Sequence, residues 1–282
     1  MVPNPPPGFP VAAGGGAGKI ARYARGRDYH DVVRKRLHAL ADRLRERFAG
    51  EEFRAFVDTA PVMEREHAAR AGLGFVGKHT LLIDPRHGSW MVLGGIATTM
   101  SLEPTDAEQD EQDHCGTCTR CIDACPTGAI EPWKVDARKC ISYLTIEHEG
   151  LIDPDLAVGM GDWIFGCDIC QEACPYNAPR GDGASASRVH PLYRERGEVR
   201  EGRLSLLEVL RWSAADRQVK LTVSASKRAS LEMIRRNAVI AAVNGDAAGE
   251  LRAEVRRIAI EEVGIVGETA RGMLRKKDGI EA

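Results

Sequence analysis

Four cysteines in "HCGTCTRCIDACPTGAI" stand at Cys115, Cys118, Cys121 and Cys125, and Pro126 follows the last. This C-x2-C-x2-C-x3-C-P spacing is that of a bacterial four-iron run, in which three thiolates wrap one cube and the fourth reaches another. A shorter run, "FGCDICQEACPYN", supplies Cys167, Cys170 and Cys174 with Pro175, but Ile164 stands where a further ligand belongs. Cys140 is the remaining one of the eight cysteines. Two four-iron clusters need eight thiolates, so counting assigns Cys115, Cys118, Cys121 and Cys174 to a first cluster. Cys125, Cys140, Cys167 and Cys170 then hold a second, with Cys140 replacing the ligand absent at Ile164. The alternative is two zinc sites of four cysteines each. Zinc ribbons favour paired C-x2-C knuckles well apart in sequence, and a third cysteine at x2, a fourth at x3 and a proline after each run fit that poorly. Two clusters in one segment form an electron relay, which needs a redox partner in another protein or a cofactor in this chain.

The elements that must position these residues are legible in part. Residues 1–18 are rich in Pro and Gly and read as an extended lead-in. Val33, Leu37, Leu40, Leu44 and Phe48 recur at helical spacing, so "RDYHDVVRKRLHALADRLRERF" predicts an amphipathic helix. "FRAFVDTAP" reads as a strand broken by Pro61, and "VMEREHAARAGLG" as a helix ended by glycine. "HTLLIDPRHGSWMVLGGIATT" reads as a hairpin about a "DPRHGS" turn. An acidic stretch over 102–113 leads into the cysteine segment, and "GDGASAS" over 181–187 reads as a loop. Ser226 is expected to cap a helix that stops at Asn244-Gly245, and Asp246 to cap a second with Leu251, Val255 and Ile258 on one face. Two such helices resemble one unit of an α-solenoid repeat.

At 282 residues, 43% hydrophobic, 28% charged and with net charge −2, the composition is that of an ordinary globular protein. The neutral total hides two basic zones: residues 19–54 and 194–237 each carry eleven Lys/Arg against six Asp/Glu. Such zones suit a polyanionic partner on one face, or solvated helix surfaces. The N-terminus lacks a basic start followed by an apolar run, and no stretch has the apolar length of a membrane span. A reducing, cytoplasmic setting without membrane contact is therefore expected, where clustered cysteines are metal ligands rather than disulfides.

Several long stretches resemble the epoxyqueuosine reductases, cobalamin- and iron–sulfur-dependent enzymes of tRNA queuosine biosynthesis. They are "GKIARYARGRDYH" (18–30), "FVDTAPVMERE" (56–66), "AGLGFVGKHTLLIDPRHGSWMVLG" (71–94), the "CGTCTRCIDACPTGAI" run, "DARKCISYLTIEHEG" (136–150), "GDWIFGCDICQEACPYN" (161–177) and "KRASLEMIRRNAVIAAVNG" (227–245). The resemblance implies an α+β architecture. After the lead-in come an α/β catalytic, cobalamin-binding domain (19–101), an inserted ferredoxin-like domain with two 4Fe-4S clusters (102–180), and a C-terminal α-helical HEAT-like repeat region (181–282). The catalytic domain is expected to be shortened, because family members carry further strands ahead of "IARYARGRDYH".

The resemblance also implies the reaction: two-electron reduction of epoxyqueuosine to queuosine in a tRNA anticodon, with electrons passing through both clusters to cobalamin. On the residues alone Asp58, in "AFVDTAP", reads as a turn-capping Asp, although apolar neighbours would help its carboxyl hold a proton. The resemblance makes it the proton donor and a cobalamin neighbour, along with Ala21, Tyr23, Leu82, Leu93 and Ser142. His67, His79 and His87 are not expected to ligate cobalt and read as surface or hydrogen-bonding residues. Lys227, Arg228, Arg235 and Arg236 are candidate phosphate contacts to the tRNA anticodon stem-loop. A low-potential donor such as flavodoxin or ferredoxin, and a monomer, complete the expectation. A reductive dehalogenase-like enzyme is the nearest rival, but the twin-arginine export signal typical of that group is absent. A plain two-cluster carrier would not need the hundred or so residues ahead of the clusters.

Overall fold

A computed structural model describes residues 16–103, 113–178, 191–195 and 199–278. Most of the lead-in, most of the acidic 102–113 stretch and the "GDGASAS" segment lie outside these residues. At the centre is a three-stranded sheet whose strands come from all three expected regions. Ala17–Ile20 forms the middle strand, with Trp163–Phe165 parallel on one side and Arg203–Ser205 antiparallel on the other. Gly18 is required here, because a Cβ on it would lie 2.5 Å from the Ile164 side chain and 2.8 Å from Leu206. The expected domain limits are therefore crossed by one shared core, which runs from Ile20 through Ile164 and Phe165 to Leu210 and Ile240.

Helix Leu231–Asn244 is buried on nearly every side from Met233 to Val243 and packs on this sheet. Its cap is Ser230, which accepts from the Met233 N–H; Ser226 lies in the preceding 3-10 turn, Ala225–Arg228. The helix stops at Asn244 with Gly245 as cap, where expected. Gly249–Glu261 follows and buries Leu251, Val255 and Ile258, but no side chain caps it; Asp246 instead pairs with Lys277. A third helix, Gly264–Asp278, packs on both and buries Val266, Ala270 and Met273.

The smaller half holds helix Tyr29–Arg47, capped by Asp28, over a two-stranded antiparallel sheet of Phe53–Phe56 with Gly95–Thr98. Val33 and Leu37 close on Gly94, where a Cβ would meet them at 2.9 and 2.8 Å. The sheet is narrower than the apolar stripe, so Leu40 stays 44% exposed. The expected hairpin forms only at its turn, where Asp84 bridges Gly88. Leu82–Ile83 pairs back with Phe75–Val76, and the other arm pairs with Phe53–Phe56. Helix Glu64–Arg70 links the two small sheets. Short helices run through the cysteine segment: Arg120–Asp123 carries Cys121, Cys140 is the N-cap of Ile141–Ile146, and Ile169–Glu172 carries Cys170; the first and third end shortly before Pro126 and Pro175. A hairpin of Ile130–Glu131 with Lys134–Val135 lies between the first two. Among the described residues no helix is long and apolar enough to cross a membrane.

Candidate functional site

The eight cysteines lie close enough for their thiols to influence one another. Burial pushes the Cys121 thiol up to about 11, and its neighbours Cys115, Cys174 and Cys118 push it the same way. Cys174 is raised by burial and by Cys115 and Cys118. Burial raises Cys167 well above an ordinary thiol, with Cys170 and Cys140 adding to it. Cys170 goes up to about 12 through burial, then Cys140, Cys121 and Cys125. Cys121 thus lies near Cys115, Cys118 and Cys174, and Cys170 near Cys140, Cys121 and Cys125. Thiols crowded this way resist ionisation alone, and a cationic iron core is what makes such a donor set favourable. Backbone amides already point at the sulfurs, Lys78 N–H at Cys115 Sγ (3.4 Å) and Ala129 N–H at Cys125 Sγ (3.3 Å). Ile164 is fully buried in strand Trp163–Phe165, so its side chain is core and offers no ligand position.

The segment after Cys140 is held from helix Leu231–Asn244. Asn237 Nδ2 donates to Thr145 O (2.9 Å) and Ile164 O (3.0 Å), and the Gly166 N–H donates to Thr145 Oγ1 (2.9 Å). Arg236 is 0% exposed and donates to Leu144 O, His148 O, Gly150 O and Asn237 Oδ1. Burial lowers its guanidinium to about 10. It cannot reach a phosphate, because it is spent inside the core, fixing the segment after Cys140. Arg235 is likewise turned inward, onto Glu262 (2.8 Å) and Leu210 O (2.7 Å). Of the four candidate phosphate contacts only Lys227 and Arg228 are on the surface, both already ion-paired. Lys227 meets Asp28 at 2.7 Å, and Arg228 grips Glu147 with two donors.

A cleft of about 2050 Å³ opens between the smaller half and the cysteine segment. Tyr23, Asp58, Leu82 and Leu93 line it, as expected, while Ala21 and Ser142 are not among its lining residues. Ala21 is buried beneath Gly166, and Ser142 is half-buried in helix Ile141–Ile146, where its carbonyl accepts from the Thr145 hydroxyl. The cysteine segment reaches the cleft through Asp168, Gln171 and Glu172 instead. Ordinary small-ligand pockets measure roughly 300–1,000 Å³, so this cleft is large enough for a group well beyond that size.

Asp58 sits at the cleft mouth with φ +52, a left-handed conformation that Asp tolerates better than most residues. Its N–H donates to Glu64 Oε1 at 2.6 Å, which pins the turn ahead of the helix. The side chain is 56% exposed rather than buried, so apolar burial is not what could keep a proton on it. His30 supplies another means. Its Nε2 lies 3.0 Å from Asp58 Oδ2 and its Nδ1 2.7 Å from Asp28 Oδ1. Burial raises the Asp28 carboxyl, but hydrogen bonds from Lys227 and His30 outweigh that and hold it below the usual range. Asp28 thus accepts the Nδ1–H, and the Nε2–Oδ2 contact needs a proton between two otherwise repelling lone pairs. Tyr29 and Tyr23 pack edge to face at 5.9 Å beside this pair, and burial raises both phenols. The sequence reading missed Asp28, Tyr29 and His30, although "RDYH" lies in a quoted stretch and D-x-H spacing was there to read. His79, one of the histidines read as surface or hydrogen-bonding, is buried: its Nδ1 accepts from the Leu81 N–H, and burial drops it to about 4.

Two family descriptions match the chain: a 4Fe-4S double cluster binding domain over residues 114–177, and a domain of epoxyqueuosine reductase QueG over residues 5–59. The chain is 41% identical over 252 residues to the epoxyqueuosine reductase of Xanthomonas campestris pv. campestris, covering 88% of this chain and 68% of that protein. It is 43% identical over 225 residues to that of Synechocystis sp., covering 78% of this chain and 74% of the relative. Against the Pseudomonas aeruginosa enzyme the identity is 42%, over 59% of the relative's length. An epoxyqueuosine reductase structure from Bacillus subtilis, described with an Asp catalytic loop swung out of the active site, superposes with TM-score 0.79 at 27% identity, over 94% of this chain and 71% of that one. A crystal structure of epoxyqueuosine reductase with an epoxyqueuosine-modified tRNA-Tyr stem loop gives TM-score 0.79 at 28% identity, with the same coverage.

Proposed function

The chain belongs to the epoxyqueuosine reductase family, and from that premise we propose that it reduces epoxyqueuosine to queuosine in a tRNA anticodon. One observation carries the reading: a single large cleft has Asp58, hydrogen-bonded to His30 behind it, on one wall and the Asp168–Glu172 side of the cysteine segment on another. A proton source and an electron source thus face the same space.

Cys115, Cys118, Cys121 and Cys174 would hold one 4Fe-4S cluster, and Cys125, Cys140, Cys167 and Cys170 the other. The clusters would supply single electrons at low potential, received from a flavodoxin- or ferredoxin-type donor. Cobalamin in the cleft, against Tyr23, Leu82 and Leu93, would supply the two-electron reduction of the epoxide carbon–oxygen bond. Asp58 gives the departing oxygen one of the two protons with which it leaves as water, solvent supplying the other, and His30 holds the Asp58 proton on the Nε2–Oδ2 axis until it is needed. Asp28, itself fixed by Lys227, sets the His30 ring orientation. The Glu64 carboxylate holds the Asp58 backbone in place. Aromatic walls from Tyr23 and Tyr29 offer stacking surfaces to a splayed base. Arg228, exposed and close enough to Asp58 and Tyr23 to interact with them electrostatically, is the phosphate contact this surface offers. The helices after residue 230 serve as a HEAT-like buttress for the second cysteine set.

The test is anaerobic loading of the full chain with iron, sulfide and cobalamin, followed by assay on epoxyqueuosine-modified tRNA stem loop with a low-potential reductant. Queuosine formation supports the reading, and intact epoxyqueuosine with both chromophores present would refute it.

A further inference from the structure

Lys78 sits at the tip of the turn that joins Phe75–Val76 to Leu82–Ile83, and only 8% of it is exposed. A buried ammonium normally has a carboxylate partner, yet among the described residues Lys78 forms no ion pair. Its Nζ donates instead to Gly116 O (2.5 Å) and Cys118 O (3.3 Å), inside the loop that carries Cys115, Cys118 and Cys121. Its own N–H points at Cys115 Sγ (3.4 Å), and its carbonyl accepts from the Trp133 N–H (3.0 Å). The Trp133 ring covers the ammonium at 5.4 Å. Every polar group of this residue is thus turned to the first cysteine loop or to the hairpin that shields it.

We propose that Lys78 tunes the first cluster: it holds the ligand loop and places a desolvated positive charge that raises that cluster's reduction potential without moving the second's. The inference rests on the reading that Cys115, Cys118, Cys121 and Cys174 hold a 4Fe-4S cluster. Reduction adds one negative charge to a core already surrounded by four thiolates, so a fixed cation nearby favours the reduced form. Low dielectric around the covered ammonium strengthens this effect. Among the described residues no hydrogen bond joins Lys78 to the second set, so the residue distinguishes two clusters of identical ligand type. Lys78 is a positioning residue and touches no reacting atom.

The experiment is a redox titration followed by electron paramagnetic resonance on the full chain with both clusters reconstituted. Iron content of the wild-type protein tests the cluster reading separately and beforehand. Lys78→Met removes charge and clasp together, Lys78→Gln keeps a donor for Gly116 O without the charge, and Lys78→Arg keeps the charge. The wave that Cys118→Ser also moves identifies the first cluster. Met and Gln are expected to disfavour its reduction about tenfold or more, which for one electron is about 59 mV per tenfold step. The other wave stays in place, and Arg restores the wild-type value. Equal movement of both waves, or movement of neither, would overturn the proposal. Loss of the first cluster's iron in Met and Gln alike would also overturn it, since the residue would then be structural.

Discussion

The His30 Nε2 atom lies 3.0 Å from Asp58 Oδ2, across 28 residues of sequence, while the same ring's Nδ1 is tied to Asp28 at 2.7 Å. This three-residue line accounts for how a carboxyl group at an open cleft mouth can deliver a proton. It predicts that Asp58→Asn and His30→Gln each slow single-turnover reduction by about 10²–10⁴-fold, the usual range for a positioned acid. Both variants should keep their iron and corrin absorption. A His30→Gln rate within threefold of wild type would show that Asp58 works without its partner.

Cys140 is expected to be as necessary as the cysteines of the longer runs. Cys140→Ala should leave about four of about eight irons per chain and remove one of two reduced-cluster signals. A second change, Ile164→Cys, should not restore them, because Ile164 points into the core against Gly18 rather than towards Cys167. Recovery of full iron in that double variant would contradict the partition.

Arg236 and Arg228 should separate cleanly. Arg236→Met leaves the carbonyls of Leu144, His148 and Gly150 without a donor, at a cost of about 2–4 kcal/mol in chemical denaturation. Affinity for the stem loop should be unchanged at temperatures where the variant is folded. Arg228→Ala should leave stability nearly intact, since the exposed pair with Glu147 contributes little. Its stem-loop binding should weaken, and the salt dependence of binding should fall by about one counterion.

His79 gives the fold a window of acid sensitivity. Burial lowers it from 6.5 to about 4, so the folded state refuses a proton that the unfolded chain accepts. Its stabilising effect is therefore complete above pH 6.5 and declines as pH falls towards 4. Between pH 6.5 and 5 the loss should be about 2 kcal/mol. A His79→Asn variant, compared with wild type by denaturant titration at both pH values, should lack that slope. Parallel slopes would mean that His79 takes up its proton in the folded state.

The chemistry was legible where ligand spacing is local, and obscure where partners meet across the fold. The cysteine runs follow from short-range spacing and a count, and the structure brings residues of both runs close together. The helix starting after Asp28 and the stop at Asn244 are also local signals. Asp58 was identifiable, but its exposure and its His30 contact were not, since both depend on a strand and a helix packing together. Arg235 and Arg236 have the look of surface charge in the sequence, whereas their helix is packed between the central sheet and helices Gly249–Glu261 and Gly264–Asp278. The hairpin failed for the same reason: its second arm found a better partner in Phe53–Phe56. The third C-terminal helix could have been found from Val266, Ala270 and Met273 at helical spacing.

The most direct measurement is nucleoside analysis by mass spectrometry after incubating epoxyqueuosine-modified stem loop with the anaerobically loaded full chain and a low-potential reductant. The account predicts conversion to queuosine by the wild-type chain and none by Asp58→Ala with unaltered iron and corrin content. Conversion at the wild-type rate by Asp58→Ala, or none by a fully loaded wild-type chain, would contradict it.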